Sequence, residues 1–359
     1  MGLPKLWEGE MDVSRWEKRR EELVKLFAEE VYGVCPEEFE TSFRLLGESP
    51  ALGGKAVLRR VEITVKGPYG EYAFPFCLYL PEKRPAPVFV YFSALAGDVT
   101  DVPEEKRMFA PPVELVTSQG FAFASVPCPL LKADAEDGFR QGLAPAFERE
   151  GETRPDTAWA TLAIWGFGAS RILDYLETVP EDVDSQNSAL IGFSRCGKAA
   201  AYAGARDTRF KLVIPHSAGC SGAVIARGTT GETVKNINDS FPFWFDGRYK
   251  KYNDREEEMP FDFHMLLACV APRLLYVTSS DQDLWCDPPG AFRAWLESRD
   301  AFGLYGLPVP NPADFPAPLP PANQPVWVGN MAYHVKTGGH SLTEYDWEQF
   351  CRFFKEHMG

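Results

Sequence analysis

Residues 188–198 read Ser-Ala-Leu-Ile-Gly-Phe-Ser-Arg-Cys-Gly-Lys and run straight into Ala-Ala-Ala-Tyr-Ala-Gly-Ala. An apolar run ending in Gly-x-Ser, followed at once by small helix-forming residues, is a strand, a sharp turn and a helix. With Ser194 at the apex, this is the pattern of a nucleophile elbow. Gly192 permits close backbone approach, and Gly197 lets the helix pack tightly on its strand. The run departs from G-x-S-x-G in placing Cys196 at the second glycine, with Gly197 one residue later. The competing reading is an ordinary strand-to-helix turn in which Ser194 is only an N-cap. The strand context before it and the alanine-rich run after it favour the elbow.

An elbow needs a sheet beneath it. Pro87–Phe92, residues 120–127, 209–215 and 272–278 are short, nearly continuous apolar runs, as expected of strands buried on both faces. Residues 56–66 and 71–80, either side of Lys-Gly-Pro-Tyr-Gly, read as an antiparallel hairpin at a sheet edge. Helical spacing marks residues 14–32 with Gly33 as the stop, 157–178 with Asp156 or Thr157 as cap, and 343–357. Strands alternating with helices predict an α/β fold, a mostly parallel central sheet with helices on both faces in a three-layer sandwich. The expected organisation is one domain over 1–359. It has an N-terminal helical extension (about 1–50) and inserted loops near 219–259 and 307–325. Eight prolines fall between 308 and 325, yet too few residues follow them to build a second domain.

The formal net charge of −14 argues against nucleic acid or an anionic membrane surface as partner. The eight cysteines are scattered without a C-x-x-C pair, so no metal knuckle is expected, and buried free thiols are the simpler reading. No apolar run is long enough to span a membrane. The N-terminus lacks the basic and apolar regions of a leader, so the expectation is a cytoplasmic protein, or a secreted one whose leader has been removed.

A serine hydroxyl needs a base to take its proton and a carboxylate to hold that base. On an α/β-hydrolase sheet these follow in the order serine, acid, histidine. Of five histidines, His216 and His264 precede the late strand that would carry the acid, and His357 ends the last helix. His334 lies in an apparent strand and reads as a packing residue. His340, in Thr-Gly-Gly-His-Ser just before the last helix, is the expected base. The loop after the 272–278 strand offers Asp281, Asp283 and Asp287. Asp283 lies far enough past the strand to turn toward His340. Asp281 is the runner-up, and Asp287 before Pro288 suits a helix cap. Turn chemistry alone favours aspartate at any of the three.

The oxyanion needs preorganised donors. The backbone N–H of Arg195, at a helix N-terminus, is one. Its guanidinium offers a cationic fork, and the Ser93–Gly97 loop is a third contributor. Lys198, one helical turn past Ser194, projects from the same side and suits a substrate hydroxyl or carboxylate. The alternative for Arg195 and Lys198 is a solvated surface pair. Phe241, Phe243, Trp244, Phe245, Tyr249 and Tyr252 either stack on sugar or pack the insertion onto the body.

Gly192-Phe-Ser194-Arg195-Cys-Gly197-Lys198 resembles the G-x-S-R-x-G-K motif of glucuronoyl esterases, carbohydrate esterase family fifteen. The likeness continues through 205–210, 217–222, Gly231-Glu232-Thr, 241–245, 259–273, Asp283-Leu-Trp285-Cys-Asp-Pro and 339–347. It implies an α/β-hydrolase that cleaves esters of 4-O-methyl-glucuronic acid, such as those joining xylan to lignin alcohols, without metal or organic cofactor. It implies Ser194 as nucleophile, His340 as base and Arg195 at the oxyanion. Lys198, Glu232 and Trp285 would contact the sugar acid. The expected partner is a small or oligosaccharide uronic acid ester. Some members carry the acid as a glutamate after the strand that follows the elbow. Here that segment is His216-Ser217-Ala-Gly, which favours Asp283. Fungal members bridge nucleophile and base by a disulfide whose positions are Phe193 and Ser341 here. Both departures point to a bacterial-type member. The alternatives are an acetyl-sugar esterase of the same fold and a non-catalytic carbohydrate-binding relative.

Overall fold

The structure, a computed structural model, describes residues 2–100, 102 and 110–358. Its strands are β1 (Glu40–Ala51), β2 (Ala56–Gly67), β3 (Gly70–Pro81), β4 (Ala86–Ser93), β5 (Ala122–Pro127), β6 (Val183–Phe193), β7 (Leu212–His216), β8 (Leu274–Ser280), β9 (Val326–Val328) and β10 (Met331–Lys336). They form one sheet in the order β1-β2-β3-β5-β4-β6-β7-β8-β10-β9. From β5 to β10 every pairing is parallel. The antiparallel strands β1, β2 and β3 extend one edge, and β9 closes the other.

The helices are α1 (Val13–Phe27), α2 (Val113–Ser118), α3 (Cys128–Leu131), α4 (Thr161–Leu176), α5 (Arg195–Arg206), α6 (Val234–Ser240), α7 (Phe263–Ala268), α8 (Pro288–Glu297), α9 (Arg299–Gly303) and α10 (Glu344–Glu356). Side chains alternate along each strand. Val88, Val90 and Phe92 of β4 enter one core with α1, α4, α5, α7 and α8. Phe89 and Tyr91 enter a second core with α2 and α10, which supplies Trp347, Phe350 and Phe354. Both faces are covered, which gives the three layers. The connection from β4 leads to β5 on one side, and the chain then crosses to β6 on the other. The strand order therefore reverses beside β4, and open α/β sheets bind ligands at the C-terminal strand ends of such a switch point.

Two expectations are corrected. The helical extension does not reach residue 50. The helical segment ends at Tyr32, and Glu40–Ala51 is strand β1. β1 is an edge strand with no buried residue, so it carries no apolar pattern to read. Neither Asp156 nor Thr157 caps α4, whose N-cap is Ala160 with no side-chain bond. Instead, the carbonyls of Phe243 and Trp244 accept from the N–H groups of Thr161 and Leu162, at 3.2 and 3.3 Å. Backbone from the insertion satisfies the helix start.

That insertion is packed rather than loose. Phe243, Trp244, Phe245, Tyr249 and Tyr252 are buried. The Tyr249 hydroxyl pairs with Ser221 Oγ at 2.7 Å, and that of Tyr252 donates to Glu30 at 2.7 Å. Packing therefore accounts for most of these aromatics. The proline-rich segment bridges α9 and β9, and its Phe315 packs on Phe292, 5.3 Å between centroids. Among the described residues, no helix is long and apolar enough to cross a membrane.

Candidate active site

Ser194 stands where β6 ends and α5 begins, with φ 59° and ψ −126°. A serine in this region is strained, and here a short strand-to-helix turn imposes it. A Cβ on Gly192 would lie 2.0 Å from the Cys196 carbonyl oxygen, and one on Gly197 2.9 Å from that of His216. The turn closes only with glycine at the first. The Ser194 N–H donates to the His216 carbonyl at 3.0 Å, which ties the apex to the end of β7. As the first residue of α5, Arg195 has a backbone N–H with no intrahelical acceptor.

His340 and Asp283 come together from the loops after β10 and β8. His340 Nδ1 donates to Asp283 Oδ2 at 2.6 Å. The imidazole lies against the ring of Phe193, the residue before the serine, 4.5 Å between centroids. Among the described residues, no protein group bonds its Nε2. Burial pushes the Asp283 carboxyl up. The bond and charge of His340, with the N–H and thiol of Cys286, more than offset this and hold it below the usual carboxylate range.

The other two aspartates have different work. Asp281 Oδ1 accepts from the Gly338 N–H at 2.8 Å and pins the His340 loop to the end of β8. Asp287 caps α8 through the Gly290 N–H at 3.2 Å and accepts from the Thr230 hydroxyl at 3.1 Å.

Lys198 and Glu232 form a buried ion pair, Nζ to Oε2 2.7 Å, with side chains 4% and 10% exposed. Nζ also donates to the Cys220 carbonyl, so one of its three N–H bonds remains for a ligand. The solvated-pair reading fails for Lys198. The Glu232 N–H donates to the Trp285 carbonyl at 2.8 Å. Trp285 itself is 57% exposed and free to take a ligand on its face.

Arg195 differs from expectation. Its guanidinium pairs with Asp134 and lies 4.7 Å from the ring centroid of Trp244 and 5.2 Å from that of Phe241. Those two rings stack at 3.8 Å, and Trp244 Nε1 donates to Asp134 at 2.7 Å. The side chain is caged by cation–π and ionic contacts rather than aimed as a free fork. Sequence reading missed Asp134, which lies in a patternless stretch. The tryptophan and phenylalanine of the cage were visible without their purpose.

It also missed Cys286. Its thiol donates to the Ser217 carbonyl at 3.6 Å and stands 3.6 Å from His340 Nδ1. Asp283, Cys286 and His340 thus gather three potential metal-ligating side chains. All eight cysteines are buried and unpaired.

His216 and His334 are buried behind the site. His216 Nε2 donates to the Ser341 carbonyl at 2.9 Å, Nδ1 accepts from Thr278 at 2.6 Å, and burial pushes the ring down to about 4.

The chain is also similar to known proteins. A family model described as glucuronyl esterase, fungi, matches residues 154–306. A carbohydrate esterase, MZ0003, from an unknown prokaryotic organism is 31% identical over 95% of this chain and 85% of its own length. The chain belongs to carbohydrate esterase family fifteen. Among solved structures of the family, a glucuronoyl esterase from Solibacter usitatus superposes with TM-score 0.88 at 36% identity, covering 100% of this chain and 98% of that one. A promiscuous family-fifteen esterase from a marine bacterial metagenome superposes with TM-score 0.85 at 31% identity, covering 99% and 97%. The α/β-hydrolase fold is thereby shared along the whole chain.

Proposed function

We propose that the protein is a serine esterase that hydrolyses glucuronoyl and 4-O-methyl-glucuronoyl esters of plant glucuronoxylan through an acyl-enzyme on Ser194. Ser194 Oγ attacks the ester carbonyl carbon while His340 Nε2 takes its proton. The N–H of Arg195 donates to the developing oxyanion, and the caged guanidinium adds a fixed positive charge nearby. His340 then hands its proton to the leaving alcohol. A water, deprotonated by the same nitrogen, releases the uronic acid and restores Ser194. Asp283 holds the ring and stabilises its protonated form. Lys198 and Glu232 would bond the hydroxyls of the sugar acid, and Trp285 would cover its face.

The observation that most supports this reading is the Asp283–His340 bond, 2.6 Å, beside the elbow with Nε2 left unclaimed among the described residues. The Solibacter usitatus relative, 36% identical over the whole chain, is a glucuronoyl esterase, which supports the same substrate class here. Ser194→Ala should lower kcat on methyl or benzyl glucuronate about 10⁴-fold or more. Unchanged turnover in that variant would sink the mechanism. The relative described as promiscuous supports a second reading, in which neutral esters such as acetylated sugars are also cleaved. Rates on an acetylated xyloside and on benzyl glucuronate, measured side by side, separate the two.

A further inference from the structure

We propose that Asp283, Cys286 and His340 bind a zinc ion that reversibly switches the esterase off. The inhibitory half of the claim rests on His340 being the catalytic base. The binding half does not.

The donor set is one carboxylate oxygen, one thiol sulfur and one imidazole nitrogen, and these atoms lie within 4.8 Å of one another. Zinc takes such ligands tetrahedrally. Its ordinary bond lengths put sulfur and nitrogen about 3.5 Å apart across the metal. Cys286 Sγ and His340 Nδ1 are already 3.6 Å apart. The carboxylate oxygen would sit about 3.3 Å from the nitrogen. Asp283 Oδ2 is at 2.6 Å, so an opening of about 0.7 Å accommodates the ion. Two of the ligands come from one turn, Asp283 and Cys286, whose Cys286 N–H donates to the Asp283 carbonyl at 3.1 Å. That turn fixes their spacing before any metal arrives. The third ligand is the more exposed one, His340, with 37% of its side chain open to solvent, so the ion has a way in. The Ser217 carbonyl that receives the Cys286 thiol belongs to a residue whose own buried Oγ has no partner among the described residues. A water completes the fourth position.

The consequence for catalysis follows from the imidazole alone. Metal on Nδ1 requires the proton to sit on Nε2. Nε2 is the atom that must be bare to accept the serine proton. Zinc entry releases the Cys286 proton to solvent, moves the His340 proton to the wrong nitrogen and takes Asp283 away from its partner. No bond of the chain is broken, so a chelator restores the resting pair. The arrangement gives an esterase that is sensitive to a soft divalent cation although its reaction uses none.

Cobalt serves as the spectroscopic probe. Titration of the full chain with Co²⁺ should produce a thiolate-to-cobalt charge-transfer band at one equivalent, displaced by zinc and abolished in Cys286→Ser and Cys286→Ala. Ester turnover in buffered free zinc should be lost reversibly, with EDTA restoring it. The half-inhibitory zinc concentration should rise at least tenfold in both cysteine variants, each scaled to its own zinc-free rate. Absence of the band in the wild type overturns the site. So does equal zinc sensitivity in wild type and both variants. Inhibition should be read on 4-nitrophenyl acetate as well as on a glucuronate ester. The cobalt band needs no turnover, so a failure of the esterase reading leaves it to decide the metal site by itself.

Discussion

His340 meets Asp283 at 2.6 Å, and earlier in the same chain His334 meets Asp346 at 2.8 Å. The bond is nearly the same, yet the settings are opposite. Both partners of the second pair are fully buried, and Tyr276 donates to the remaining nitrogen of His334 at 3.0 Å. Asp346 also receives Lys336 Nζ and the capping groups of Thr343, the hydroxyl at 2.8 Å. Burial pushes the His334 ring down. Burial pushes Asp346 up, but the surrounding His216, His334 and Lys336 hold it far below the carboxylate range. In the first pair one nitrogen of the ring is left over and a third of the side chain is open. A histidine held by a carboxylate is therefore not in itself a catalytic device. What separates the two is whether the second nitrogen is spent on the protein or kept for a ligand.

The sharpest way to break this comparison is to remove each histidine in turn. His340→Asn should cost about 10⁴-fold in kcat and leave the unfolding free energy within about 0.5 kcal/mol. His334→Asn should do the reverse, lowering stability by about 3 kcal/mol because Asp346 loses a buried partner, while the folded fraction keeps turnover within about tenfold. Chemical denaturation and steady-state kinetics on the same preparations decide it. The carboxylates give the next largest contrast. Asp283→Asn should lower kcat on the order of 10³-fold with KM nearly unchanged, since it costs the ring its tautomer and its counter-charge. Asp281→Asn keeps an acceptor for the Gly338 N–H and should stay within about threefold. Equal losses at the two positions would move the acid away from Asp283.

Lys198 tests whether a buried charge can serve a ligand as well as the fold. Lys198→Met should reduce kcat/KM on glucuronate esters about 10²-fold, and by much less on neutral esters, while destabilising the protein by about 3 kcal/mol through the stranded Glu232. The double variant with Glu232→Leu should regain most of that stability and none of the selectivity. The last contrast is one of pH and concerns His216, whose ring burial pushes down to about 4 in the folded chain against 6.5 unfolded. A base with a lowered value leaves the folded state unprotonated while the unfolded state takes the proton. Its stability is therefore full above about pH 6.5 and falls by about 3 kcal/mol as pH drops to about 4. His216→Gln should flatten that part of the stability–pH curve, and an unchanged slope would assign it to other groups.

The sequence displayed the parts of this molecule that have a local signature. Strands β4, β5, β7 and β8 appeared within a few residues because buried strands are apolar without interruption, and β2 and β3 appeared from the turn between them. The elbow appeared because two glycines, a serine and an alanine run must lie in that order. His340 emerged from five candidates by chain order, its glycine-rich loop and the strand setting of His334. The preference for Asp283 over Asp281 and Asp287 needed geometry to test it, since all three obey the same turn chemistry. Asp134, Cys286 and the backbone cap of α4 had no signature at all. Each acquires its role from a partner far away in the chain. β1 stayed hidden for a different reason, because an edge strand with no buried side chain has no reason to alternate.

The carbonyls of Phe243 and Trp244 that receive the first N–H groups of α4 bear on how this scaffold can be altered. The same short segment carries the rings that steady Arg195 beside the nucleophile. Anyone widening the cleft for a bulkier alcohol has exposed positions such as Lys235 and Asp239 to exchange, but residues 241–245 behave as part of the hydrolase body. Deleting them would fray the helix beneath the sheet and release the elbow arginine in one cut. A library that spares those five positions should yield folded variants where a library across the whole insertion yields aggregates.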